Sequence, residues 1–502
     1  MTCSTIREIL TGAADKFGNQ DAVRYKIKKD TIETKSYMDL KKDSESFSNV
    51  LKILGETGSH IAVTGMTSYA WMVTYLGTVN SGSVAVPLDV SLPAEEMCAL
   101  IHRADVTVLV LDEVRKDVAA IVKDRCPGLK YLISMQKTES DEASLSFWSL
   151  IRENEKEYAY NPDPEQLCTI MFTSGTTGKS KGVMLTHRNL AENATCLDMK
   201  IPERTVILSV LPIHHAYCLS MDILKGLSLG SIICINDSLL RVAKNIKLFC
   251  PNMILMVPLM IETMAKKLEE AAGLPPEIVK REVFGEQFHT ICSGGAYLNP
   301  ALIDLFAKYG ITILQGYGMT ECAPVISTSR SWNIKREAVG QLLPNCEAKV
   351  VDNELWVRGS SVMQGYYKMP KETQETLEDG WLKTGDLGYI DEEGFVFLTG
   401  RKKNLIITKN GENVSPEELE NKIGENRLVQ EILVREAEGV IEAEIFPDYE
   451  YAQKQGIADM QAAAQEMIDQ YNQGAPAYKK IYRLKIRETE FEKTPSKKIK
   501  RY

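Results

Sequence analysis

Thr173-Ser-Gly-Thr-Thr-Gly-Lys-Ser-Lys-Gly182 is the stretch on which the reading of this chain turns. The apolar run Leu167-Cys-Thr-Ile-Met-Phe172 precedes it and reads as a buried strand; Val183-Met-Leu185 follows as a second, short one. Thr186 then has the character of an N-cap for a helix starting near His187. The stretch is therefore a turn between two strands. Gly175, Gly178 and Gly182 let the backbone bend and aim N–H groups inward. Ser174, Thr176 and Thr177 bring hydroxyls, and Lys179 and Lys181 bring positive charge. That inventory suits a polyphosphate. It is not a Walker A loop: that pattern needs glycine where Thr173 stands and runs directly into a helix.

The rest of the composition sets the frame. The 502 residues allow two or three domains, and an apolar fraction of 44% allows a large core. A net charge of −9 argues against non-specific nucleic-acid binding. Met1-Thr-Cys-Ser-Thr-Ile-Arg-Glu8 is charged from the outset, so no signal peptide is expected, and no apolar stretch approaches the length of a membrane span. The eleven cysteines, scattered from Cys3 to Cys346, form no C-x-x-C pair. A disulfide framework or zinc site is not expected, and a cytoplasmic enzyme is.

Outward from the loop, strand and helix patterns alternate. Ser59–Thr64, Ser83–Pro87, Val106–Leu111 and Lys130–Ser134 read as strands, and Ile6–Phe17 and Ala70–Asn80 as helices. Residues 136–166 are polar and read as a loop. Beyond the central loop, strands at Val206–Leu211, Ser231–Ile235, Met253–Val257, Phe288–Cys292 and Ile311–Leu314 follow. Several end in glycine-rich segments, Ser293-Gly-Gly-Ala296 and Gln315-Gly-Tyr-Gly-Met-Thr-Glu321 among them. Ligands of parallel α/β sheets gather at such carboxyl ends. From about Gly340 the texture changes to antiparallel strand and turn, with a hairpin at Asp391–Gly394. The basic segment Arg401-Lys-Lys403 marks a boundary, a capped helix runs over Ser415–Ile423, and ten Lys/Arg against three Glu follow from Lys479.

Five segments together resemble the AMP-forming acyl-CoA synthetases of the adenylate-forming superfamily: Thr173–Gly182, Leu211–Cys218, Gln315–Glu321, Gly385–Glu420 and Phe491–Arg501. The last is most similar to bacterial long-chain fatty acid ligases. The resemblance implies an α/β fold: a large N-terminal domain of stacked α/β sheets with a small β-barrel over residues 1–400, a hinge at 401–403, and a mobile, smaller α+β domain over 404–502. It implies ATP-dependent activation of a carboxylic acid, a medium- or long-chain fatty acid, to acyl-AMP with release of pyrophosphate. Transfer to coenzyme A follows. The alternative acceptor is an acyl carrier protein, loaded by a stand-alone adenylating enzyme.

The same resemblance implies residue roles. Thr173–Gly182 cradles the β- and γ-phosphates and helps orient pyrophosphate. Gly294, Gly295 and Ala296 border the adenine, Tyr317 stacks on it, and Gln315, Gly316 and Gly318 complete that segment. Thr320 meets the α-phosphate; Glu321, with Thr176, holds Mg²⁺. Asp386 accepts from the ribose hydroxyls and Arg401 adds a ribose or phosphate contact. Lys403 is the hinge, and Gly411 leaves a path for the pantetheine thiol. Lys498 reaches the α-phosphate; Lys497 stands where the family usually has glycine. His215, with His214 as runner-up, places the carboxylate and gates the acyl pocket. Tyr217, Leu219 and Met221 either line that pocket or form a strand-end core. Asn236-Asp-Ser-Leu239 mimics a phosphopantetheine attachment sequence but reads as a turn, and no fused carrier domain is expected after Lys498.

Overall fold

Ile6, Ile9, Leu10, Ala13, Ala14 and Phe17 recur every three or four residues, and they form the buried stripe of helix Ile6–Phe17 in the computed structural model. The Thr5 hydroxyl caps that helix by accepting from the Glu8 N–H at 3.1 Å. Helix Tyr69–Asn80 is apolar on every face and buried along its whole length. The structure describes residues 2–173, 180–271, 273–408, 411–493 and 499–501. They fall into two units: Met1–Ala296, Leu302–Ala348 and Val357–Leu382 form the first, and Tyr297–Ala301, Lys349–Trp356 and Lys383–Tyr502 the second.

The first unit holds two large sheets. In one, strands Asp21–Lys28, Ile232–Ile235, Val206–Ser209, Met253–Met256, Thr290–Ser293 and Thr312–Gly318 lie side by side and parallel. Thr31–Ser36 and Val325–Thr328 close its flanks antiparallel. In the other, His60–Thr64 sits between Val84–Leu88 and Val106–Leu111, all parallel. Leu167–Thr173 joins parallel to Val84–Leu88, and Lys181–Thr186 returns antiparallel to it. Near-continuous Val, Ile and Leu runs mark strands covered on both faces, and the buried Val86, Leu109, Leu111 and Ile170 belong to one such core.

Several sequence expectations need correction. The tract 136–166 is not all loop: it contains strand Leu145–Ser146 and helix Phe147–Glu153, whose Phe147 is buried. Gln315–Gly318 is strand rather than loop, because Gln315 pairs with Ser293 and Gly316 to Gly318 pair with Thr328 to Val325. The helix after Arg401-Lys-Lys403 spans Pro416–Gly424, but Ser415 does not cap it; its hydroxyl donates to Glu417 Oε2 at 3.0 Å. The hairpin Asp21–Ser36 has no counterpart in the sequence reading. Its strands are half exposed and lysine-rich, so their apolar alternation is weak. Thr186, by contrast, forms a full capping box with Asn189. Asn236-Asp-Ser-Leu239 is the turn expected, with Ser238 capping a short 3₁₀ turn.

The second unit has its own core. Strands Val429–Ala437, Val440–Pro447 and Arg483–Ile486 form a sheet, antiparallel then parallel. Leu419 and Ile423 of helix Pro416–Gly424 and Ile468 of helix Met460–Gly474 pack with its Val434, Ala443 and Ile445. Asp391–Gly394 makes the expected turn between Trp381–Ile390 and Val396–Arg401.

Candidate active site

Strand Leu167–Thr173 ends at the start of the glycine- and hydroxyl-rich segment, and the chain returns at Lys181, which lies opposite Thr173 in register. Ser174, Gly175, Thr176, Thr177, Gly178 and Lys179 lie outside the described residues. What flanks them is well fixed. Arg103 stacks on the Phe172 ring at 5.1 Å and donates to the Ser180 carbonyl. The Lys181 ammonium stands 4.6 Å from the centre of the Tyr366 ring.

Tyr366 then links this hairpin to the candidate metal ligand. Strand Gly365–Tyr366 pairs antiparallel with Val183 and Met184. From there the Tyr366 hydroxyl donates to Glu321 Oε1 at 2.9 Å. Burial and the neighbouring Glu321 carboxylate push the phenol pKa well up, so Tyr366 is a hydrogen-bond donor throughout the physiological range. Lys181, Tyr366 and Glu321 thus form one chain of contacts, although Tyr366 lies 45 residues from Glu321 and outside every motif read from the sequence.

Glu321 sits in a 3₁₀ turn, Thr320–Cys322, that the first unit grips from three sides. The Asn193 side-chain amide donates to the carbonyls of Cys322 at 3.2 Å and Val325 at 2.8 Å. Its oxygen accepts from the Val325 N–H at 3.2 Å. Ser220 donates to the Ala323 carbonyl at 2.9 Å, and the Met363 N–H to the Glu321 carbonyl at 2.9 Å. Gly318 is required sterically: a Cβ there would lie 1.9 Å from the Pro324 carbonyl oxygen. Asn193 is the clearest residue the sequence reading missed. A polar side chain on the buried face of helix His187–Thr195 was the available signal.

The segments expected to border the adenine have a mixed character. Gly295 adopts a φ of 85°, which favours glycine, and Gly295 and Ala296 are exposed. Gly294 leaves room for the Tyr217 ring, 3.2 Å from where its Cβ would stand. Tyr317 is only 8% exposed. The Gln315 side chain is committed to structure, donating to the carbonyls of Arg336 at 2.7 Å and Ala338 at 3.0 Å. Gly316 has more space, with nothing nearer to a Cβ than 3.7 Å, and Thr320 is half-buried.

After the Val206–Ser209 strand, His215 is exposed and its ring lies 4.4 Å from that of His214. His214 Nε2 stands 3.5 Å from Asp89 Oδ1. Burial, then the neighbouring His215, pushes the His214 pKa down to about 4, so both rings are held toward the neutral form. From Cys218 to Lys225 the chain is a π-helix rather than a strand end. Tyr217 and Met221 line an apolar cavity of about 60 Å³, whereas Leu219 is fully buried outside that lining.

In the second unit, Asp386 and Arg401 face each other across the hairpin, with Arg401 Nε 2.7 Å from Asp386 Oδ1. The Asp386 N–H is held by Thr384 Oγ1 at 3.0 Å. Beside them, Glu354 takes the Gly385 N–H at 3.0 Å and Lys402 Nζ at 2.8 Å. Lys403 lies in a 3₁₀ turn, Lys402–Asn404; burial, then Arg401, lowers its pKa. Gly411 is exposed with φ 81°, which accounts for glycine there by backbone conformation alone. Lys497 and Lys498 lie outside the described residues. Among the described residues no cluster of three His, Cys, Asp or Glu forms a metal cage, and no helix is long and apolar enough to cross a membrane.

Comparison with known proteins places this geometry. Residues 10–367 match the family described as AMP-binding enzyme, and residues 403–502 its C-terminal domain. The chain is 34% identical over 323 residues to the 4-coumarate–CoA ligase-like 6 of Arabidopsis thaliana, a match covering 58% of this chain and about half, 54%, of that relative. It is 28% identical over 477 residues to the long-chain-fatty-acid–CoA ligase of Bacillus subtilis, covering 86% and 82% of the two chains. The crystal structure of the anthranilate CoA ligase AuaEII with anthranoyl-AMP superposes with a TM-score of 0.85 at 20% identity, over 99% of this chain and 95% of that one. The fold is therefore that of these ligases, and the chain belongs to the AMP-binding enzyme family.

Proposed function

We propose that this protein is an AMP-forming acid–thiol ligase. The observation that carries the reading is the linked set Lys181, Tyr366 and Glu321, which connects a phosphate-binding hairpin to a carboxylate held beside Thr320. A carboxylate resists attack by a thiol because its oxygen is a poor leaving group. The acid's oxygen therefore attacks the α-phosphorus of ATP, the bond to the bridging β-oxygen breaks, and pyrophosphate leaves. The thiol sulfur of coenzyme A then attacks the acyl carbon and AMP departs. Both steps depend on positioning and on charge stabilisation.

Residues 173–182 hold the leaving pyrophosphate, with Lys181 beside it. Thr320 and Lys498 meet the α-phosphate. Asp386, oriented by Arg401, accepts from the ribose hydroxyls, and His215 places the carboxylate. Lys403 is the pivot between the two half-reactions, and Gly411 serves the thiol path. A single carboxylate with one oxygen tied to Tyr366 suits magnesium, which keeps waters and binds chiefly through substrate phosphates. Glu321 and Thr176 would hold it there, and it would neutralise phosphate charge. The eleven free cysteines support a reducing, cytoplasmic setting. Product analysis tests the reading: incubation with acid, MgATP and coenzyme A gives AMP, pyrophosphate and a thioester in equal amounts. Release of ADP and phosphate instead would sink it. Replacing coenzyme A with a carrier protein separates the two acceptors.

A further inference from the structure

The apolar cavity beside Gly316 has a lysine in its wall. Its wall includes Met199, Met221, Leu229 and Leu255, and among its described lining residues Lys225 is the only Lys, Arg, Asp or Glu. Lys225 closes the π-helix Cys218–Lys225, and its residue is 9% exposed. Its ammonium donates to the carbonyls of Ala194 at 3.1 Å and Leu197 at 2.9 Å, and to nothing else among the described residues. An ammonium has three donors, so one remains for the cavity. The obvious intrahelical partner, Asp222, does not form an ion pair with it; the Asp222 carboxyl group instead takes Cys218 Sγ at 3.7 Å. A buried ammonium met only by neutral carbonyls is a costly arrangement in an apolar wall. π-helical turns also concentrate at functional sites.

We infer that Lys225 is a specificity-determining residue, and that it receives an oxygen acceptor at the far end of the acid. The substrate class is then an acid bearing a second carboxylate, or a hydroxyl or carbonyl oxygen, rather than a plain methyl-ended chain. This rests on the ligase reading above. The reacting carboxylate must face the nucleotide segment, to which Gly316 belongs and which also borders this cavity. The oxygen that meets Lys225 therefore belongs to the remainder of the acid.

The test compares length-matched plain acids, ω-hydroxy acids and α,ω-diacids by ATP–pyrophosphate exchange. The wild-type enzyme and the variants Lys225→Met and Lys225→Gln are assayed, with equilibrium binding of the same acids measured by calorimetry. A charge-assisted hydrogen bond in a dry pocket is expected to favour the best oxygenated acid roughly 10- to 100-fold in kcat/KM over its plain counterpart. Met matches the lysine stem without its donors, so Lys225→Met is expected to erase or invert that ratio, chiefly through KM. Gln keeps a donor and is expected to retain part of it. A wild-type preference for plain acids, a preference that survives Lys225→Met, or an equal loss with every acid overturns the inference. If no acid supports exchange, the ligase reading fails; the binding ratio of oxygenated to plain acid, and its loss in Lys225→Met, still decides the role of Lys225.

Discussion

Asp222 is fully buried, its Oδ1 has no hydrogen-bond partner, and burial raises its pKa from the ordinary 3.8 to about 7. The native chain therefore keeps this proton between about pH 4 and pH 7, where the unfolded chain has released it. Because the native state binds more protons there, stability falls as pH rises through that window and levels off above it. At roughly 1.4 kcal/mol per tenfold change in proton affinity, the ceiling is about 4 kcal/mol. Relaxation and water entry reduce that, and about 2 kcal/mol between pH 5 and pH 8 is expected. Asp222→Asn removes the titration. Its amide alters stability by an amount that does not depend on pH, so the difference between variant and wild type isolates the carboxyl from other shifted groups such as His187 and Glu420. The assay is urea unfolding across that pH range, followed by tryptophan fluorescence. The variant should gain on the wild type steadily as pH rises. A difference that stays flat would mean that Asp222 is ionised or solvated in the native state, and the reasoning fails.

Other perturbations address the site. Gly318→Ala should cost about 3 kcal/mol in thermal or urea unfolding, since its Cβ meets backbone at 1.9 Å, whereas Gly316→Ala should change stability little. Tyr366→Phe removes the donor to Glu321 and should slow pyrophosphate exchange about 10-fold, against at least about 100-fold for Glu321→Gln; a Tyr366→Phe enzyme with wild-type exchange would remove tyrosine from the site. Lys498→Ala should lower adenylation at least about 100-fold while thioester formation from supplied acyl-adenylate stays within a few-fold. Equal loss of both reactions would contradict separate conformations for the two steps.

How much of this was legible depends on the range of each interaction. The strands around Thr173–Gly182 were legible because continuous apolar runs and an N-cap threonine, Thr186, are local signals. Asp386 and Arg401 were named from motifs, and their pairing follows once the Asp391–Gly394 turn sets the hairpin register. Tyr366 was not legible, because only the pairing of Gly365–Tyr366 with Val183 and Met184 carries it to Glu321. Ser415 misled because a cap sequence does not reveal that Glu417 takes its hydroxyl. Lys225 drew no reading from the sequence, because only the π-helical turn and the carbonyls of Ala194 and Leu197 place it in the wall of a cavity. That lysine also bears on the sequence expectation of a medium- or long-chain fatty acid, since a methyl-ended chain leaves its third donor unmet.

The most direct measurement is the exchange of labelled pyrophosphate into ATP, run with and without carboxylic acids, in the presence of magnesium and the absence of any thiol. Reversible adenylation requires label to enter ATP only when a suitable acid is present, and to enter at least about 100-fold more slowly when Glu321→Gln replaces the wild type. Acid-independent exchange, or none with any acid, would contradict the account.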